Sequence, residues 1–133
     1  RQMPAYVVQM VADALNERCR AVRGARILAL GVAYKPDVAD TRDSPALEII
    51  ESLSAKGAAV AYHDPLVPRV TVKGTELASV PWSGAELGAR DLVLILTAHS
   101  TYDWAAIVRE APLVIDTRNA TGGLPPAAHV IRL

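Results

Sequence analysis

Along Met3 to Arg20, apolar side chains fall at Tyr6, Val7, Met10, Val11, Ala14 and Leu15. That three-and-four spacing predicts an amphipathic helix, with Pro4 suited to its first turn. Beyond Gly24 the pattern changes to short apolar runs that alternate with helix-length amphipathic stretches. A first strand is predicted over about Arg26 to Val32. A helix follows from Pro45 to Lys56, with Ser44 as N-cap and Gly57 just past its end, and a second strand runs from Ala58 to His63. Asp64-Pro65 starts a turn. Leu66 to Ser83 carries prolines and little periodicity, so irregular structure is expected there, with Val70-Thr71-Val72 as a short edge strand. A short helix over Gly84 to Ala89 precedes Asp91 to Thr97, whose unbroken Leu92-Val93-Leu94-Ile95-Leu96 core predicts a strand buried on both faces. Ser100 and Asp103 have capping-box spacing, which predicts a helix over Thr101 to Glu110 ended by Pro112. Leu113 to Asp116 and Val130 to Leu133 complete the strands.

Strands alternating with helices predict an α/β, Rossmann-like three-layer sandwich with a mainly parallel sheet of about five or six strands, preceded by an N-terminal helix. Right-handed crossovers would set the first strand beside the Leu92 strand, and that one beside Leu113 to Asp116. Three loops would then meet at one edge, bringing Tyr34 and Lys35, His99 and Ser100, and Arg118 and Asn119 together.

With 133 residues the chain suits one domain. Its 14 basic and 14 acidic residues balance, which argues against broad contact with nucleic acid or an anionic membrane. No apolar run approaches the roughly 20 residues of a membrane span, and the start lacks a signal-peptide layout, so a cytoplasmic location is expected. Cys19 is the single cysteine, which precludes an internal disulfide; it is expected to pack on the first helix. No spacing of histidines with Cys19 suggests a metal site.

Candidate chemistry concentrates in Gly31 to Pro45, where a strand end, Lys35, Arg42 and a helix start suggest an anion site. No G-x-x-G follows Gly31, so this is not a dinucleotide fingerprint. For Lys35 the alternative is a solvated loop lysine. For Arg42 it is an ion pair with Asp40, Asp43 or Glu48, and for Arg118 a pairing with Asp116. Asp64 occupies the place of a ribose-binding acid, but the proline after it favours a turn aspartate. His99 reads as a loop-satisfied imidazole rather than a base. The Asn119-Ala120-Thr121 sequon reads as a chance match.

The stretch Gly31-Val32-Ala33-Tyr34-Lys35-Pro36-Asp37 through Asp40, Arg42 and Ser44 meets every fixed position of G-x-A-[FY]-K-x-[DN]-x-x-D-x-R-x-S. On this motif, and on M-P-x-Y-V-V, Y-H-D-P, H-S-T-Y-D-W and D-T-R-N-A, the chain resembles the C-terminal domain of the UDP-glucose/GDP-mannose dehydrogenase family. It is most similar to members acting on UDP-N-acetylhexosamines. The resemblance implies residues 1–23 as the end of a connecting helix and 24–133 as a UDP-sugar-binding domain. It further implies a substrate role for Tyr34, Lys35 and Arg118, and a contact of Arg42 with NAD held mainly by an absent N-terminal domain. Tyr34 could equally pack on the sheet. Family members oxidise the sugar C6 alcohol to a carboxylate in two NAD-dependent steps through a cysteine adduct. That cysteine motif is absent here, so no catalytic residue is assigned, and the chain alone is expected to be inactive. The implied partners are a UDP-sugar, the absent NAD-binding and middle domains, and further subunits of a homo-oligomer. The alternative is a stand-alone nucleotide-binding or regulatory module without catalysis.

Overall fold

The computed structural model describes residues 3–133. Arg1 and Gln2, part of the expected connecting helix, lie outside the described residues. The chain runs α1 (Met3–Glu17), β1 (Arg26–Leu30), α2 (Pro45–Ala55), β2 (Ala59–His63), β3 (Arg69–Val72), β4 (Thr75–Ala78), α3 (Gly84–Gly88), β5 (Leu92–Ile95), α4 (Trp104–Glu110), β6 (Val114–Asp116) and β7 (Val130–Arg132). Five strands form one parallel sheet in the order β2-β1-β5-β6-β7. This is the expected α/β architecture, with the first strand beside the Leu92 strand and that one beside Val114–Asp116.

Alternation along the central strands divides the core into two layers. Ile27, Ala29, Leu92, Leu94 and Ile115 face α1 and α2, where Val7, Val11, Ile49 and Leu53 cover them. Leu28, Leu30, Val93, Ile95 and Val114 face the other way, under Leu87 of α3 and Ile107 of α4. Both faces of β5, and of β1 beyond exposed Arg26, are therefore dry, which is why Ile27–Leu30 and Leu92–Ile95 show no polar interruption.

Helix α1 buries Pro4, Val7, Val8, Val11, Ala14 and Leu15. Val8 takes the place that the spacing gave to Tyr6, whose ring remains 56% exposed. Cys19 does not pack as expected. The helix ends in a turn where Cys19 donates its N–H to the Asn16 carbonyl and Arg20 to that of Leu15, with Cys19 left-handed at φ 58° and exposed. This is the Schellman arrangement, in which the left-handed residue follows the helix and points away from the core.

Two further departures have clear causes. The segment expected to be irregular forms a hairpin, β3 paired antiparallel with β4. Its two-residue turn is Lys73-Gly74, both at positive φ, the backbone required by the turn type that matches strand twist. At α4, Asp103 rather than Ser100 is the N-cap, its carboxylate accepting from the Ala106 N–H. Ser100 is committed elsewhere, as described below. Among the described residues no helix is long and apolar enough to cross a membrane.

Gly31 follows β1 at φ 88°, and a Cβ built there would stand 2.3 Å from the Cβ of Thr97. Gly74 also has positive φ, but a Cβ there would meet nothing within 4 Å. Gly31→Ala therefore carries a steric as well as a backbone penalty, whereas Gly74→Ala carries the backbone penalty alone. In urea unfolding, Gly74→Ala should lose about 1 kcal/mol and Gly31→Ala about 3 kcal/mol or more. Equal losses would show that the approach of Thr97 to Gly31 is not tight in solution.

Candidate functional site at the carboxyl edge

In a parallel sheet all strand C-termini leave at one edge, so the loops after β1, β2, β5 and β6 emerge side by side. The chain fastens these loops with two buried carboxylates, both on residues at or just past a strand end.

Asp64 follows β2 and is buried. Its Oδ2 accepts the N–H groups of Val32 at 2.9 Å and Ala33 at 3.2 Å, and the Nε2 of His99 lies 2.9 Å away. Its Oδ1 accepts the Leu66 N–H, forming the Asp-Pro turn. Asp64 is thus fully engaged within the chain, as the turn reading predicts, and none of its oxygens is left for a ribose.

His99 is wholly buried. Its Nδ1 accepts the backbone N–H of Asp37 at 2.9 Å, which assigns the ring proton to Nε2 and the donor role toward Asp64. Asp37 sits left-handed at φ 63°, and its Oδ1 accepts both the N–H and the hydroxyl of Ser100. The Ser100 N–H is the main influence holding the Asp37 acid below its ordinary value. Ser100 therefore clamps the loop instead of capping α4.

Asp116, at the end of β6, is organised in the same way. Its Oδ1 accepts the N–H groups of Arg118 and Ala120, and its Oδ2 accepts the N–H and hydroxyl of Thr121. Burial alone would push this acid up; the bonds from Thr121, Arg118 and Ala120 overcome that and hold it below the usual carboxylate value.

On this frame stand the residues singled out from sequence. Tyr34 is 52% exposed and does not pack on the sheet. Lys35 is exposed and, among the described residues, makes no ion pair. Arg118 does not pair its side chain with Asp116; its Nε donates to the Leu96 carbonyl at 3.1 Å. Arg118 also lines a cleft of about 30 Å³ with Leu96, Pro45, Ala46 and Met3. Arg42 adopts its ion-pair alternative, donating from Nε and Nη2 to the two oxygens of Asp40 at 3.0 and 2.9 Å. This fork lowers the Asp40 acid to about 2. The start of α2 is also occupied by the chain's own groups, since Ser44 accepts from the Ala46 N–H and Glu48 lies in the first turn. Exposed cations, rather than bare helix amides, are what this edge presents to an anion.

Beside the loops lies an aromatic cluster that sequence reading missed. Trp82 and Trp104 each lie 5.2 Å from the ring of Tyr102, and His63 lies 4.8 Å from Trp82. The Tyr102 hydroxyl donates to the His63 carbonyl and meets His63 Nδ1 at 2.9 Å. These residues are up to 41 positions apart in sequence, so no periodicity could join them. Among the described residues no cluster of histidine, cysteine and acidic side chains could hold a metal ion.

Because the Asp116 acid is lowered by folding, the stability it contributes is complete above the ordinary carboxylate value of about 4 and is lost as pH falls through the lower folded value. Urea midpoints of the wild type and Asp116→Asn should therefore differ most near pH 6 and draw together as pH falls below the ordinary carboxylate value of about 4. A pH-independent gap would show that the carboxylate's charge plays no part in holding the loop.

The profile of the UDP-glucose/GDP-mannose dehydrogenase family, UDP binding domain, matches residues 28–123. The chain is 31% identical to UDP-glucose 6-dehydrogenase of Rhizobium meliloti over 74% of its own length and 24% of that protein. It is 30% identical to UDP-N-acetyl-D-mannosamine dehydrogenase of Pyrococcus horikoshii over 98% of its length and 30% of that protein. The solved structure of the UDP-D-ManNAc dehydrogenase from the same organism superposes with a TM-score of 0.79 at 26% identity, again over 98% of this chain and 30% of the other. The chain thus spans about a quarter to a third of these relatives. Its fold, its loop motif and these matches together establish that it belongs to the UDP-glucose/GDP-mannose dehydrogenase family, as the UDP binding domain.

Proposed function

We propose that this chain is the substrate-facing C-terminal domain of an NAD-dependent UDP-sugar 6-dehydrogenase. Residues 1–23 would end the helix that connects it to a middle domain, and 24–133 would be the binding domain. One observation carries the reading: Lys35 and Arg118 stand on loops that leave the same sheet edge, and neither is neutralised by an acidic side chain among the described residues. Two such cations suit the diphosphate of a UDP-sugar, Lys35 as a mobile point charge and Arg118 as a planar fork already oriented by the Leu96 carbonyl. Exposed Tyr34 offers a ring beside them. The cleft at Arg118 has room for about one water molecule. A nucleotide would therefore lie across this edge, with its other wall supplied by further domains or by another subunit of a homo-oligomer.

The described residues do not themselves fit NAD. Thr97 fills the space that an approach to the Gly31 backbone would need, and Asp64 has no free oxygen to offer a ribose. NAD, the hydride acceptor in such an oxidation, would be held by an N-terminal domain, with Arg42 reaching it only by exchanging Asp40 for the cofactor. This domain's share of the chemistry is to hold the sugar nucleotide in place, and no residue among those described is assigned to attack or deprotonate the sugar.

Calorimetry on the chain should give weak UDP binding, on the order of millimolar, which Lys35→Ala and Arg118→Ala each weaken about tenfold. Arg42→Ala should leave it unchanged. The chain should form no NADH from NAD and a UDP-sugar. Turnover by the chain alone would sink this reading, and tight, sugar-selective binding would favour a self-sufficient nucleotide-binding module.

A further inference from the structure

The Lys35 loop and the Arg118 loop are both attached to the segment between them, Leu96 to Ser100, which follows β5. On one side, the Leu96 carbonyl accepts from Arg118 Nε. On the other, Thr97 donates its hydroxyl to the Ala33 carbonyl at 2.8 Å, His99 accepts the Asp37 N–H, and Ser100 donates twice to the Asp37 carboxylate. Ala33 and Asp37 flank Lys35 at two residues on each side. The lysine therefore sits on a short arch whose two feet rest on the post-β5 segment.

We propose that Leu96 to Ser100 sets the separation between Lys35 and Arg118, with buried His99 as the positioning residue that holds the distal foot of the Lys35 arch; this rests on the substrate-binding reading above. His99 cannot touch a ligand, since its side chain is fully enclosed. Its effect passes through the Asp37 N–H, while its Nε2 is fixed by Asp64. The Asp64 contact keeps the imidazole upright, and the Asp37 contact does the positioning.

The two contacts can be separated by side-chain shape. In His99→Asn, the amide oxygen can stand where Nδ1 stood and keep the Asp37 N–H. In His99→Gln, the amide nitrogen can stand where Nε2 stood and keep Asp64, leaving Asp37 without its acceptor. Amide hydrogen exchange and UDP titration on the wild type and both variants make the test. The Asp37 amide should exchange about tenfold faster in His99→Gln than in His99→Asn, and UDP affinity should fall in the Gln variant but be kept in the Asn variant. Exchange protection and affinity that fall equally in both variants, in step with their urea midpoints, would reduce His99 to a packing residue and overturn the proposal. If either variant fails to fold, Asp37→Ala, at a side chain more than half exposed, replaces the pair. Asp37→Ala removes the Ser100 bonds but keeps the N–H that His99 accepts, so a residue-37 amide that stays protected, with UDP affinity kept, supports the proposal, and loss of that protection overturns it. A wild type that does not bind UDP refutes the substrate reading, while the exchange comparison still decides whether His99 holds the arch.

Discussion

When a chain leaves the end of a parallel strand it carries peptide N–H groups that the neighbouring strand can no longer accept, and burying them unpaired would cost about 1–3 kcal/mol each. At the end of β1 those groups belong to Val32 and Ala33, and the carboxylate of Asp64 accepts both. The same carboxylate fixes its own turn through Leu66 and orients the imidazole of His99. One buried anion, answered by four donors, thereby ties the loops after β1, β2 and β5 into a single edge. Asp116 repeats the solution after β6. What the edge displays outward, Tyr34, Lys35 and Arg118, depends on these inward-facing carboxylates.

The division of labour among charged groups follows from where each stands. Asp64 and Asp116 are buried and fully hydrogen-bonded, so they act as structural hubs. Arg42 and Asp40 are exposed and fork onto each other, an arrangement of little energetic worth that a competing anion can displace. Among the described residues Lys35 has no such partner, so on the proposed reading its charge is the one an incoming diphosphate meets first.

Much of the architecture was legible because the central strands carry uninterrupted aliphatic runs and the first two helices carry clear periodicity. The hairpin was not, since Pro68 and the short, half-exposed β3 and β4 weaken the pattern, and the Lys73-Gly74 turn depends on a backbone angle. Ser100 fitted a capping box by spacing alone; Asp37, 63 residues earlier, claims it instead. Cys19 looked like a packing residue because free cysteines usually are, but the helix closes before it. Asp64 was legible as a turn aspartate and His99 as a satisfied loop imidazole, but not their roles as joints, because the bonds that join the loops link residues more than 30 positions apart. The motif that marks the loop names both displayed Lys35 and the bracing residues Ala33 and Asp37, but gives no sign of which does which.

The chain has no phenylalanine and only two tryptophans, and both lie against Tyr102 at this same edge, where Tyr102 and Trp104 join the core layer under α3 and α4, while the other layer holds one aromatic ring, Tyr62. Its intrinsic fluorescence and near-ultraviolet circular dichroism therefore come chiefly from one corner of the molecule. A spectral change in this protein speaks first of the loops around His63 and Tyr102 and of the core layer they join, and only indirectly of the layer under α1 and α2.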